Sequence, residues 1–396
     1  MIKKASKSYV ESNPYSWTGK PMHIKSENPV SADHLIVDMF SGAGGFSVGF
    51  CDAGFGVALA LDNHAPSKDT FLHNHKEASF ILGDIRKVNS KVIRNVANDM
   101  PISVLVAGVP CQGFSLNNKK RKEDDERNFL FQEFIRFIKI FNPPYVLLEN
   151  VSGLTSSGNG YFRAAIIKEI GACGYNVDFR ILKAPDYGVP QKRARVFFQG
   201  ARPGYDIRWP APTHGLGRSE KYNTVYDAIG DLPLLGNGEE KFSYDKEPTT
   251  EYQKVMRKNS DGKLLNHRAP SHPEETILKI GNTTPGFPIY PRFPQRIRLK
   301  MDDLSPTQVS GGIRSQFTFG HPTQPRGLSI RERARIQSFP DHFFFCGGLV
   351  QSRVQTGNAV PPLLARAIAV QIMKGLKHEA MDDTTIKKDS VQMELV

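Results

Sequence analysis

Apolar residues fall in short, separated runs along the first two hundred positions, and several runs end on a glycine or an acidic residue. Leu35-Ile36-Val37-Asp38-Met39-Phe40, Val57 to Leu61, Ile102 to Ala107 and Tyr145-Val146-Leu147-Leu148 are rich in aliphatic side chains and show no regular alternation with polar ones. Uninterrupted runs of this length read as strands buried on both faces, the habit of parallel sheets. Between them the spacing changes. Leu130, Phe134, Phe137, Ile138 and Phe141 share one face of a helix over 129–141, which predicts packing on the sheet. A similar spacing runs from Leu363 to Met373 behind Pro361-Pro362. Strands alternating with helices predict an α/β fold, a doubly wound and mostly parallel sheet.

The alternation breaks down after about Gly204, where Pro, Gly and Lys separate short apolar pieces. A chain of 396 residues is also long for one core. The expected organisation is a flexible N-terminal extension over 1–32, a catalytic and ligand-binding domain over 33–203, and a smaller inserted domain over 204–325. The chain then returns to the first domain over 326–377 and ends in a flexible tail over 378–396.

Charge adds a partner class. Lys and Arg number 52 against 40 Asp and Glu, a net charge of +12 that favours a polyanionic partner. Four cysteines (Cys51, Cys111, Cys173, Cys346) show no C-x-x-C spacing, so neither a zinc site nor a disulfide scaffold is expected. Unpaired thiols predict a reducing compartment, the cytoplasm of a prokaryote or a nucleus in a eukaryote. Residues 1–32 are polar, without the apolar centre of a signal peptide, and no apolar run is long enough to span a bilayer.

The chemistry sits where strands end. Gly108-Val109-Pro110-Cys111-Gln112-Gly113 follows a buried-looking strand, and a cysteine on such a turn can be presented as a nucleophile. A free cysteine is otherwise commonly a small buried hydrophobe. Tyr145 to Leu148 is followed by Glu149-Asn150-Val151, so a carboxylate also stands at a strand end, where burial would raise its pKa and make it a proton donor. The alternative for Glu149 is a helix cap or a salt bridge. Ser41-Gly42-Ala43-Gly44-Gly45 follows the first strand, Asp62 the second, and Gly83-Asp84-Ile85 a third. Together they describe a nucleoside-type site that lacks the full G-x-G-x-x-G spacing, which disfavours a nicotinamide dehydrogenase.

In this order Asp38-Met39-Phe40-Ser41-Gly42-x-Gly44-Gly45, Pro110-Cys111-Gln112, Glu149-Asn150-Val151, Gln191-x-Arg193-x-Arg195 and Gly357-Asn358-Ala359-Val360 resemble the motifs of DNA (cytosine-5)-methyltransferases, from about Leu35 to about Gly375. The stretch Arg326 to Glu332, continuing to Asp341, resembles a further motif of these enzymes. The resemblance implies S-adenosylmethionine as methyl donor, with S-adenosylhomocysteine as product, and cytosine in a short double-stranded DNA sequence as acceptor. Cys111 would add to C6 of the base, Glu149 would hydrogen-bond or protonate N3, Arg195 would contact O2, and Arg193 would support the cluster. Phe40 would lie against the adenosine, Gly42 and Gly45 near the methionine portion with Ala43 between them, Asp62 on the ribose, and Asn63, Asp84 and Ile85 around the adenine. Pro110, Leu130, Asn358 and Ala359 complete the implied contacts. Asp62 stands where family members often carry Glu, and Asn63 where an aromatic residue can stand.

The target atom is not open to this attack in a stacked duplex, so the base must be turned out. The polar stretch Leu116 to Asn128, basic and then acidic, reads as a lid over it. The insertion then reads as a target-recognition domain, with Asn266-His267-Arg268, the Gly281 to Gly286 loop and the cluster Arg292 to Lys300 as candidate base or phosphate contacts. Compact size suggests a modification enzyme, expected as a monomer, that protects DNA from a cognate restriction endonuclease, and an orphan regulatory enzyme would look the same. The alternatives are a transfer-RNA methyltransferase of the same chemistry and a catalytically silent DNA-binding regulator.

Overall fold

A computed structural model describes residues 16–110, 129–156, 160–310 and 319–378. In chain order the main-sheet strands are β1 (Met22–Ile24), β2 (Leu35–Met39), β3 (Gly56–Asp62), β4 (Ser79–Leu82), β5 (Val104–Gly108), β6 (Tyr145–Val151), β7 (Asn176–Lys183) and β9 (Ala194–Ala201). A small parallel pair joins β8 (Gln191–Lys192) to β10 (Ser305–Pro306). The helices are α1 (Gly45–Cys51), α2 (Ala65–Asn74), α3 (Ser90–Val96), α4 (Phe129–Phe141), α5 (Tyr161–Gly171), α6 (Val225–Ile229), α7 (Glu251–Arg257), α8 (Glu274–Asn282), α9 (Ile330–Ile336), α10 (Leu349–Asn358) and α11 (Pro362–Leu376).

The sheet order is β1-β4-β3-β2-β5-β6-β9-β7. Strands β2 to β6 are parallel, whereas β9 runs antiparallel to both of its neighbours. Adjacent residues of a strand face opposite ways, and two cores follow from that. On one face Ile36, Val57, Phe80 and Val104 meet Phe46 and Phe50 of α1, Phe71 of α2 and Leu364, Ile368 and Ile372 of α11. On the other, Val37, Leu59, Leu105 and Val146 meet Ile93 of α3, Phe134, Phe137 and Ile138 of α4, and Ile166 and Ile170 of α5. The doubly wound architecture expected from the apolar runs is therefore present, and the helix over 129–141 has the bounds its spacing predicts.

Three expectations are corrected. The N-terminal extension is not loose from residue 16 onward: β1 pairs antiparallel with β4, Met22 opposite Leu82, and caps the sheet edge. The return to the first domain is not clean at 326, because Leu328 and Ile336 complete the insertion's own core of Val225, Ile229, Tyr252, Met256, Leu264 and Leu299. The segment Leu349–Leu376 is long and apolar enough to pass for a membrane span. It is nevertheless two helices broken at Pro361-Pro362, and the second buries its apolar face on the sheet.

Helix α9 explains why the insertion and the sheet domain share an interior. It opens on a capping box in which the Ser329 hydroxyl accepts from Glu332 N and the Glu332 carboxylate accepts from Ser329 N. Arg331, Glu332, Arg333 and Arg335 are all buried. Arg335 pairs with Asp341 at 2.5 Å and with Asp231 at 3.1 Å, while Arg326 holds Glu332 at 2.7 Å. Arg331 donates to the carbonyls of Leu265, Pro340 and Phe343. A buried charge is tolerable when each of its donors is met, and these guanidiniums lock the insertion's orientation by meeting acceptors far apart in the chain.

Candidate active site

The helix after β2 goes to one face and the helix before β6 to the other, so the strand order reverses between β2 and β5 and a crevice opens beyond their C-terminal ends. Phe40, Gly42 and Gly44 all have positive φ (58°, 53° and 93°), which folds the chain sharply after β2. Asp62, at the end of β3, holds that turn: its Oδ2 accepts from Gly42 N at 2.7 Å and its Oδ1 from His64 N at 2.8 Å. Each oxygen keeps acceptor capacity beyond these bonds. A side chain at Gly42 would meet nothing within 4 Å, so its backbone lies open to a ligand.

Gly45 is glycine for a different reason. A Cβ there would lie 2.1 Å from the Val360 carbonyl oxygen, so α1 packs directly on the returning chain. That contact brings exposed Asn358 and buried Ala359 to the same rim. Ala43, also buried, packs with Ala359, Ile330 and Phe339.

Asp38 was not singled out by its spacing, yet it is 1% exposed inside β2. Its Oδ2 accepts from Ser47 Oγ at 2.7 Å, while Oδ1 has no partner among the described residues. Burial pushes its carboxyl up to about 7, against the pull of the Ser47 hydrogen bonds. A raised carboxyl contributes stability that is full below the unfolded pKa and is lost as pH rises through about 7. Asp38→Asn should therefore gain stability over wild type between pH 5 and pH 8, by on the order of 1–4 kcal/mol. Urea melts at the two pH values check this, and a difference that does not change with pH would refute it.

On the far side of the crevice Asp84 caps a short turn and pairs with Arg86 at 2.8 Å. Arg86 and burial pull the carboxyl in opposite directions, and the net effect holds it below the ordinary range. Ile85 is buried and its carbonyl accepts from Arg136. Leu130 and Pro110 are half-buried at the starts of α4 and of the turn after β5.

The end of β6 brings a carboxylate and a guanidinium together. Glu149 is 8% exposed on β6 and lies beside Gly108, the last residue of β5. In the antiparallel pair of β6 and β9, Val151 opposes Arg195, so Arg195 stands diagonally across from Glu149 on the same face. Arg195 Nε meets Glu149 Oε1 at 3.0 Å. Burial raises the Glu149 carboxyl above its ordinary range, with Arg195 and Arg193 pulling the other way. Asn150 donates to the Val109 carbonyl at 3.1 Å, which ties β6 to the residue that follows β5. Asp38 and Asn150 stand in the family-like motifs but were given no role from the sequence, and a polar residue inside a buried strand was the available signal for both.

Arg193 does not reach Glu149 with a hydrogen bond. It is buried and donates to the carbonyls of Gln308 and Gly357, and burial lowers its pKa to about 9. It thus joins the β8–β9 segment to the insertion and the returning chain. Cys111 and the stretch Leu116 to Asn128 lie outside the described residues.

Several candidate nucleic-acid contacts are structural instead. His267 is fully buried between Ser329 Oγ at 3.0 Å and the Pro233 carbonyl at 2.8 Å. Asn266 exchanges two hydrogen bonds with the Phe345 backbone. Arg298 donates to carbonyls at the end of α8, Gly281 and Thr283 among them. Arg268, Arg292 and Lys300 remain exposed, and Arg296 lies over the ring of half-exposed Phe293.

Comparison with known proteins adds a sequence-wide match to this geometry. The profile of the family described as C-5 cytosine-specific DNA methylase matches residues 35–374. The Type II methyltransferase M1.HphI of Haemophilus parahaemolyticus is 36% identical over 350 residues, covering 85% of this chain and 86% of that protein. M.DdeI of Desulfomicrobium norvegicum is 34% identical over 371 residues, covering 85% of this chain and 88% of that protein. Among solved structures, an E. coli prophage-encoded protein described as a DNA modification methyltransferase superposes with a TM-score of 0.73 at 26% identity, over 87% of this chain and all of that one.

Proposed function

This chain belongs to the C-5 cytosine-specific DNA methylase family and is a DNA cytosine-5 methyltransferase, and from that premise we propose that it methylates C5 of a cytosine turned out of duplex DNA, through a covalent bond from Cys111 to C6. The observation that carries the reading is the Glu149–Arg195 pair at 3.0 Å, buried beside the end of β5, two residues before Pro110-Cys111.

Carbon 5 of cytosine is too electron-poor to take a methyl group unaided. Addition of the Cys111 thiolate to C6 makes it nucleophilic, and the charge that builds in the ring falls on N3 and O2. Glu149, whose carboxyl burial raises above its ordinary range against the pull of Arg195 and Arg193, would hydrogen-bond or protonate N3. Arg195 keeps Glu149 in place and meets O2. Arg193 acts at one remove, by fixing the returning chain through Gln308 and Gly357. After transfer a water removes the C5 proton and the thiolate departs.

The family uses S-adenosylmethionine, which supplies a methyl group on sulfur activated for transfer. The crevice fits it. Gly42 leaves its backbone open, and Asp38 Oδ1 and Ser41 Oγ are buried without partners among the described residues, which suits a ligand that brings its own donors. Phe40, Gly42, Ala43, Asp62, Asn63, Asp84, Ile85, Pro110, Leu130, Asn358 and Ala359 would surround it. Gly45 contributes by letting the returning chain approach.

The region 204–325 would present exposed Arg268, Arg292 and Lys300 to DNA. The Type II methyltransferase names of the relatives support a modification enzyme, which in this reading works as a monomer in the cytoplasm of a prokaryote on the site of a restriction endonuclease. The test is nucleoside mass spectrometry after incubating the protein and S-adenosylmethionine with unmodified duplex DNA or transfer RNA. The expected product is 5-methyldeoxycytidine from DNA. Formation of 5-methylcytidine in RNA alone would overturn the reading.

A further inference from the structure

Residues 16–24 do more than cap an edge. Trp17 N donates to the Asn63 carbonyl at 2.7 Å, and Ser16 bridges His64, so this segment crosses the end of β3 beside Asp62. Its ring then spans to the end of β4. A Cβ on Gly83, the residue before Asp84, would lie 3.5 Å from Trp17 Cδ1 and 3.0 Å from Pro21 Cα, and Gly83 has a φ of 144° that other residues rarely adopt. Trp17 Nε1 donates to the Lys20 carbonyl at 2.8 Å, which fixes the indole's orientation with an internal bond. The ring is half-buried.

An indole held across two strand ends is a stacking surface. Part of the ring packs on the core that α1 and α11 share, Gly19 lies close to its Cε2 and Cζ2 atoms and Nε1 is already satisfied, so the portion that stays exposed is an apolar ring surface. The site it borders would take a purine, and beside Phe40, which the resemblance sets against the adenosine, Asn63, Asp84 and Ile85 offer no second aromatic ring. We propose that Trp17 is a positioning residue for the cofactor, packing on the adenine from the N-terminal segment, and that pairing of β1 with β4 holds it there. This rests on the reading that S-adenosylmethionine lies over the ends of β2, β3 and β4.

The full-length protein carries the test because it holds only two tryptophans, Trp17 and Trp209. Trp209 is 3% exposed and bonded to Asp178 on β7. It lies six strand spacings from β4, roughly 30 Å. Titration with S-adenosylhomocysteine should change the tryptophan emission of the wild type and leave that of Trp17→Phe unchanged. By calorimetry Trp17→Ala should bind it about tenfold more weakly, in the range of a lost base–aromatic stack, while Trp17→Phe recovers most of the affinity. If Trp17→Ala fails to fold, emission and the Phe variant still decide the matter. Wild-type affinity in Trp17→Ala, or wild-type emission that ignores the ligand despite calorimetric binding, overturns the role of Trp17 alone. No binding by the wild type removes the cofactor reading, and this inference with it.

Discussion

Changing Cys111 to Ala is expected to abolish methyl transfer while leaving DNA binding in place. The reason is chemical: without a covalent adduct at C6, carbon 5 has no electron density to offer, and neither Glu149 nor Arg195 can supply it. Position supports the assignment. Cys111 follows Pro110 beyond the end of β5, and β5 is hydrogen-bonded to β6, whose end carries Glu149. Asn150 anchors the Val109 carbonyl, two positions before Cys111 in sequence, from the β6 side. The variant keeps the basic surface, and phosphate contacts dominate affinity for duplex DNA. Filter binding or anisotropy with a DNA duplex should thus give a wild-type signal in the same preparation in which mass spectrometry finds no 5-methyldeoxycytidine. Product above a no-enzyme control would remove Cys111 from the nucleophile's place, and lost DNA binding would assign it a structural role.

The sheet domain was legible because its strands are buried on both faces. Leu35 to Met39 and Tyr145 to Leu148 need no partner information to be read as interior strands, and helix Phe129–Phe141 shows its stripe openly. The strand-end residues followed, since a doubly wound sheet sends its strand ends to one crevice. What was not legible depends on partners distant in sequence. The run Arg331-Glu332-Arg333-x-Arg335 carries no local sign of burial. It is buried because Asp231, about a hundred positions earlier, and Asp341 meet Arg335, and no local pattern announces that. His267 and Arg298 misled for the same reason: a basic side chain in a glycine- and proline-rich stretch reads as a DNA contact, whereas here each satisfies buried carbonyls or caps a helix. Strand β1 is three residues long and contains His23, too short and too polar to stand out until β4 is there to pair with it. Asp38 was hidden by its neighbours, because a single acid inside an apolar run does not break the strand signal.

Glu149→Gln should lower the rate of methyl transfer by about 10²–10⁴-fold, the contribution of a positioned general acid. Gln keeps the length of the side chain and an oxygen for Arg195, so cofactor and DNA affinity should change little and the loss should appear in kcat. The pH profile separates chemistry from packing. Because burial raises the Glu149 carboxyl against the pull of Arg195 and Arg193, the proton is retained to higher pH than on an exposed glutamate, and the wild-type rate should fall on the alkaline side as it is lost. The Gln variant has no such proton, so that limb should vanish from its profile. The contribution of Glu149 to wild-type stability falls in the same direction. A carboxyl raised on folding stabilises the protein while protonated, and that contribution is lost as pH rises through the folded pKa. The stability of Glu149→Gln relative to wild type should accordingly improve from acid to alkaline pH even as its activity stays low. A purely structural glutamate could show that stability trend without the loss of kcat, and a wild-type rate in the variant would leave the N3 proton to another group.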